Sequence, residues 1–291
     1  MRPIEKLAIP KTEFSFPIDG VLMNHLGTHC SICERPMPDQ AWVWNQDTGK
    51  TIKGKSNQAD WPHLLLLCHN CHDSQKTAPQ ELRPHLLLPD KDLTFRLDDK
   101  AELVYTLQPV SLVYLDDQGN PETAPNNVEL VIVRACSPAA QATIDYFGLN
   151  THYYNQNDNS FRIPKKDYLS MVDRRVDLRT EAWHNAQQYA DYLKETDTEL
   201  LINAFLQQAR IIIQSGGFWS TWATVMWQSF HDKTLLEKLL LPRVEEEKPK
   251  KVNRLKATPM AAVTTSDSDK AKASIPTRNN TMPGTSRKWL L

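Results

Sequence analysis

The chain has 291 residues, 40% of them apolar, which is enough for a real core and for one large domain or two ordinary ones. Its formal charge of −1 hides a split: Arg243 to Leu291 holds eleven Lys/Arg against five Asp/Glu, a net of +6, while the residues before it carry a net of −7. No run of 18 uncharged apolar residues occurs, so a membrane-spanning helix is excluded, and with 9 glycines and no Gly-rich phosphate loop a Walker-type nucleotide site is excluded too.

Met1 to Pro17 is interrupted by proline and reads as an extended strap. The opening "MRPIEKLAIPKTEF" lacks the apolar stretch of a secretory signal, which leads us to expect a cytoplasmic protein. Ile18 to Leu26 reads as a short helix, with Asp19 as its cap, Val21, Leu22 and Leu26 on one face and Gly27 as its stop.

Two CxxC pairs follow, Cys30/Cys33 in "THCSICERPM" and Cys68/Cys71 in "LLLLCHNCHDSQKT", separated by 34 residues. Each pair can wrap one side of a metal ion, and four thiolates so arranged suit tetrahedral Zn²⁺. In a reducing compartment zinc is the better staple than a disulfide. Cys136 has no partner in sequence and reads as a small buried apolar residue.

Between the pairs, "AWVWNQDTGKTIKGKSNQ" alternates about an Asp-Thr-Gly-Lys turn and predicts a β-hairpin with Trp42 and Trp44 on one face. Lys50, Lys53 and Lys55 form the best local cation cluster in an otherwise acidic body, although a solvated loop tip explains three lysines as well. "DWPHLLLLCHNCHDSQKT" predicts a buried apolar run, Leu64 to Leu67, and a helix starting near His72.

Leu93 to Ala135 alternates in short runs, "LTFRL", "ELVYTL", "SLVYL" and "VELVIVRA", which predict three or four strands of one antiparallel sheet with a long loop. Ser137 caps a helix that has Pro138 in its first turn and Gly148 at its end. Lys165 to Leu241 reads as helical, with Val172, Val176, Trp183, Ala186, Ala190 and Leu193 on one stripe and Leu201, Ala204, Phe205, Ala209 and Ile212 on another. Trp219, Trp222 and Met226, flanked by Phe218 and Val225, form a third stripe that is either core or a docking face. Past Pro242 the composition is too polar to fold alone. The expected fold class is α+β in four segments: 1–90 around the cysteines, 91–150 a small α+β piece, 151–242 helical, and 243–291 a basic tail.

The order of knuckle, hairpin, and knuckle opening a helix resembles the zinc-stapled, ββα-metal HNH endonucleases of bacterial anti-phage defence loci, in particular the Septu and retron-associated HNH subunits. "MRPIEK", "HCSICERPMP" and "DWPHLLLLCHNCHDSQK" carry the resemblance, and "ATIDYFGLN", "VDRRV" and "GGFWSTWATVM" extend it to about Pro242. It implies a nuclease scaffold, a structural zinc on Cys30, Cys33, Cys68 and Cys71, and partners such as DNA and a defence-system ATPase. Active members place a metal-binding carboxylate and a His general base on the hairpin. Those places fall on Trp44 and Asn45, and neither side chain can serve: Trp offers no ligand, and Asn accepts no proton at neutral pH.

The resemblance puts His63 at the family's middle Asn and His72 at the residue after the last cysteine that often ligates the catalytic metal. Two readings stay open. In one, Asn45, His63 and His72 belong to a decayed site on a binding subunit. In the other, His63 or His72 replaces the base, Asp47 or Asp60 becomes a ligand, and Mg²⁺ or Mn²⁺ supports cleavage.

Overall fold

A computed structural model describes residues 1–6, 16–37, 41–54, 60–98, 100–111, 113–115, 121–123, 127–151 and 173–241. The tail from Arg243, Lys55, and the whole of the expected helical start before Asp173, Val172 included, lie outside these residues.

Helix α1 spans Ile18–Leu26 and buries Ile18, Val21, Leu22 and Leu26, the face expected from the 3.6-residue period. Pro17, not Asp19, is at its cap position, and Asp19 sits inside the first turn, where its charge suits the helix dipole. Strands β1 (Trp42–Asn45), β2 (Lys50–Ile52) and β3 (Leu64–Leu67) form an antiparallel sheet in the order β2-β1-β3. In its register Trp42 faces Leu67 and Asn45 faces Leu64. All four leucines of β3 are buried, because α1 and helix α2 (His69–Thr77) both pack on this sheet. Helix α2 starts three residues earlier than the composition predicts, with Cys68 at its cap position.

Strands β4 (Leu103–Val110) and β7 (Val128–Ala135) make a long antiparallel ladder, and β5 (Val113–Leu115) pairs separately with β6 (Pro121–Thr123). The single sheet of three or four strands expected here is therefore two two-stranded sheets. "LTFRL" forms no strand. Its backbone runs beside the N-terminal strap instead, where Phe95 is buried and Thr94 Oγ1 donates to the Met1 carbonyl at 2.9 Å.

Helix α3 (Pro138–Phe147) has the predicted signals: Ser137 Oγ accepts from the Ala140 amide, and Gly148 ends the helix at φ +59°. Helices α4 (Arg175–Glu195), α5 (Glu199–Gly216), α6 (Trp219–Phe230) and α7 (Lys233–Leu240) complete a C-terminal layer. Helix α4 seals the free edge of β7: Arg179 Nε donates to the Val131 carbonyl at 2.9 Å, and the Val131 amide donates to Thr180 Oγ1 at 2.9 Å. Asn150 bonds both backbone groups of Val133.

Phe218, Trp219, Trp222, Val225 and Met226 are all buried, so of the two roles open to this stripe the structure assigns core. Helix α5 differs from expectation: it buries Leu206, Ala209 and Ile213, and leaves Leu201 half-exposed and Leu200 and Ile211 exposed. The buried stripe is thus rotated from the expected one, because packing against α4 and α7 chooses among several apolar positions. Cys136 is exposed, contrary to the buried role expected, since it follows β7 directly and precedes the α3 cap. One continuous cluster of buried side chains runs from Met1 to Leu241.

The turn from α5 into α6 meets the first cysteine loop at very close range. Gly217 has φ +75°, ψ −148°, and a Cβ placed there would lie 2.1 Å from the Glu34 carbonyl oxygen. Gly217→Ala is expected to cost at least about 2 kcal/mol. Gly20→Ala, in the interior of α1 with open space around it, is expected to raise stability by up to about 1 kcal/mol. Urea-unfolding midpoints of the two variants check the pair, and a Gly217→Ala protein as stable as the parent would refute the close contact.

Candidate metal centre

The first knuckle is closed by its own backbone: the Cys30 amide donates to the Arg35 carbonyl at 2.9 Å, and the Glu34 amide donates to Cys30 at 3.0 Å. Glu34 takes φ +67°, the left-handed conformation that turns the chain back after the second cysteine. The knuckle is fastened to β3, because the Ser31 amide donates to the Leu66 carbonyl at 2.7 Å and Ser31 Oγ accepts from the Leu66 amide at 3.1 Å. The second knuckle uses the end of β3 and the first turn of α2. Cys68 and Cys71 therefore sit at a helix N-terminus, where free amides and the dipole favour thiolate.

Pairing β3 with β1 and with the first knuckle brings the four sulfurs of Cys30, Cys33, Cys68 and Cys71 within 4.8 Å of one another, all buried. Cys33 Sγ and Cys68 Sγ are 3.5 Å apart. Tetrahedral Zn–S bonds of about 2.3 Å require sulfurs roughly 3.8 Å apart, so the donor set fits such an ion. Burial pushes the Cys33 and Cys71 thiols well up, while hydrogen bonds from the other three thiols outweigh burial at Cys68 and pull it well down. Four thiolates cannot share so small a volume alone, and a divalent cation removes that obstacle. Among the described residues no other group of three or more His, Cys, Asp or Glu side chains is close enough to hold a metal.

Two groups outside the cysteine motifs complete the surroundings. Arg175, at the start of α4 and 1% exposed, donates from Nη1 to Cys71 Sγ at 3.2 Å and to the Phe147 carbonyl at 2.7 Å. Burial works against its charge, but the interactions with Cys71 and with the Asp173 carboxylate outweigh it and hold its pKa well above the usual value. Glu34 faces the other way. Its carboxylate accepts from the Ser220 amide at 2.8 Å and from Ser220 Oγ at 2.6 Å, and so caps α6 from the first knuckle. Neither role was visible in sequence: the only sign of Arg175 was the "VDRRV" match, and Glu34 was merely the residue after a cysteine.

The other candidate residues lie around the sheet. Trp44 is fully buried, edge-on to Phe147 at 5.6 Å. Asn45 Oδ1 accepts from the Asp47 and Thr48 amides, both at 3.0 Å, and so caps the hairpin turn. His63 Nδ1 approaches Asp47 Oδ2 to 2.6 Å, off the line of a straight hydrogen bond, and Lys91 reaches the same carboxylate at 3.1 Å. Asp60 begins the 3-10 turn that carries His63.

His72 is at the opposite end of β1. Its ring stacks on Trp42 at 4.0 Å, its Nε2 pairs with Thr51 Oγ1 at 3.0 Å, and its Nδ1 lies 3.2 Å from Asp73. The register thus separates His63, beside the Leu64 end, from His72, beside the Leu67 end, and unites neither with two further ligands. A groove of about 140 Å³ opens beside Trp42, lined by Thr51, Ile52 and Lys53 among others, and none of Asn45, Asp47, Asp60, His63 and His72 lines it. Lys53 and Lys76 hold their ammonium groups 5.5 and 5.8 Å from the Trp42 ring centre, and Lys50 is exposed. His69 is exposed and pairs with Asp73 at 3.0 Å; His29 is buried, and burial and Arg2 push it down to about 4. Neither joins the four-sulfur group.

Comparison of the chain with protein-family models, with curated proteins and with solved structures finds no match.

The four-sulfur geometry predicts one tightly held Zn²⁺ per chain, measured by elemental analysis of the purified protein. Cys33→Ser or Cys71→Ser should lower that content to well under half. Because ligand thiols must lose protons, zinc affinity should weaken steadily as the pH is lowered, and zinc uptake in weak buffer should acidify the solution.

Proposed function

We propose that the chain is a zinc-stapled, HNH-like subunit of a bacterial defence system that binds nucleic acid or a protein partner without hydrolysing phosphodiesters. One observation supports this above the others: the Trp44 ring fills the core against Phe147 at the position where the family resemblance expects the carboxylate of a catalytic metal site. Its neighbour Asn45 spends its side-chain oxygen on the hairpin turn. His72 is held between Trp42 and Thr51. A nuclease of this kind needs a base and a metal-bound carboxylate aimed at one scissile phosphate, and these side chains are committed elsewhere. The basic sequence after Pro242, together with Lys50 and Lys53 on the hairpin, is suited to sequence-independent phosphate contacts. The ATPase that accompanies such subunits is the proposed protein partner, and the cytoplasm the proposed compartment.

A second reading draws on the Asp47–His63 contact. A carboxylate beside Nδ1 orients an imidazole so that Nε2 is free to take a proton, and a divalent Mg²⁺ or Mn²⁺ would then support endonuclease action.

The two readings differ in a plasmid-nicking assay of the full chain with Mg²⁺ or Mn²⁺. The binding reading expects no cleavage by the parent protein above a buffer control, together with plasmid retardation that weakens as salt is raised. Cleavage that His63→Ala reduces by about 10²–10⁴-fold would establish the hydrolytic reading instead. His72→Ala, run beside it, reports whether the opposite end of β1 takes part.

A further inference from the structure

Arg175 belongs to α4, more than 100 residues after Cys71, yet its guanidinium donates to the Cys71 sulfur at 3.2 Å. Its fork is held from every side. Nη1 also reaches the Phe147 carbonyl at 2.7 Å, Nη2 reaches the Gly148 carbonyl at 3.0 Å, and Nε lies 2.9 and 3.0 Å from the two oxygens of Asp173. So closely fitted a guanidinium, 1% exposed, cannot swing away from Cys71 without dragging the start of α4 with it.

Electrostatics gives that contact a purpose. A divalent cation with four thiolates carries a formal charge of −2, and a buried charge of that kind needs a nearby donor of opposite sign. An N–H donated to a ligating sulfur draws off part of the sulfur's charge and fixes its direction, as outer groups commonly do at metal sites.

We infer that Arg175 is a positioning residue of the metal centre, and that metal occupancy and the docking of α4 on the four-cysteine module form one coupled equilibrium. The inference rests on the reading of the cysteines as a zinc site. In this arrangement the C-terminal layer senses the metal through Arg175. Loss of the ion leaves the guanidinium beside a sulfur that no metal holds in place, and α4 loosens at its N-terminal end, where Arg175 and Arg179 otherwise hold the end of α3 and the middle of β7.

The test uses the full chain, Zn²⁺ and a competing chelator. Arg175→Met, which keeps the length and loses the charge and the donors, is expected to bind Zn²⁺ about 10- to 100-fold more weakly than the parent. Arg175→Lys keeps the charge without the fork and is expected to fall between them. A purely structural Arg175 would lower the stability of the metal-free and zinc-bound proteins alike, so unchanged zinc affinity in a folded Arg175→Met protein overturns the inference. Should both variants fail to fold, hydrogen exchange on the parent decides. Removing zinc should speed exchange in the first turns of α4 at least tenfold more than in α5, and equal speeding in both helices overturns the coupling. A parent protein that takes up no zinc would sink the metal reading itself, whereas zinc held equally tightly by parent and variant sinks only the part assigned to Arg175.

Discussion

The fold depends on the convergence of four buried thiols at the end of one short strand. Strand β3 is the meeting point: the first knuckle pairs with its backbone through Ser31, the second grows from its C-terminal end, and β1 covers its other edge. Without a cation the same four sulfurs are a poor core. Burial favours neutral thiols at Cys33 and Cys71, yet neutral thiols offer one another only weak hydrogen bonds. A bound zinc ion would turn this liability into cohesion, since apparent binding energies in small zinc peptides are about 10–16 kcal/mol, as large as the net stability of an ordinary domain.

Each knuckle is also wired to the C-terminal layer, by opposite charges. The first sends the Glu34 carboxylate to the N-terminus of α6, and the second receives the Arg175 guanidinium from the N-terminus of α4. Because α4 and α6 pack on each other as well, the two contacts close a loop of interactions through the metal centre. This explains why one cluster of buried side chains runs through the first three of the four segments that composition suggests. The contact at Gly217 belongs to the same logic: a layer capped by a knuckle residue must approach the knuckle backbone, and only glycine leaves space.

Much of this was legible in the residues, and the parts that were not share a cause. Local signals held: the CxxC pairs, the Leu64 to Leu67 run, the Ser137 and Gly148 caps of α3, and the buried aromatic stripe of α6 each depend on neighbours within a few positions. Choices among equivalent local patterns did not. Leu93–Leu97 alternates like a strand but finds the N-terminal strap, not a pairing edge, and α5 carries enough apolar residues for more than one stripe. The contacts that define the metal surroundings were the least legible, since Arg175 and Ser220 are separated from their partners by 104 and 186 residues.

The two tryptophans of β1 show how stability and chemistry compete for the same positions. They point to one side of the sheet, Trp44 into the core against Phe147 and Trp42 toward the edge, where it stacks on His72. A carboxylate in the place of Trp44 would lie in apolar surroundings and need a metal to hold its charge, whereas an indole fills the same space with an area worth several kcal/mol of burial. The indole N–H of Trp44 has no partner among the described residues, so the residue contributes through volume and not through polarity. On the proposed reading, then, giving up the inward carboxylate is a gain for the scaffold. On that same reading, a sheet stapled by zinc on its four cysteines would need no second, catalytic ion to stay folded.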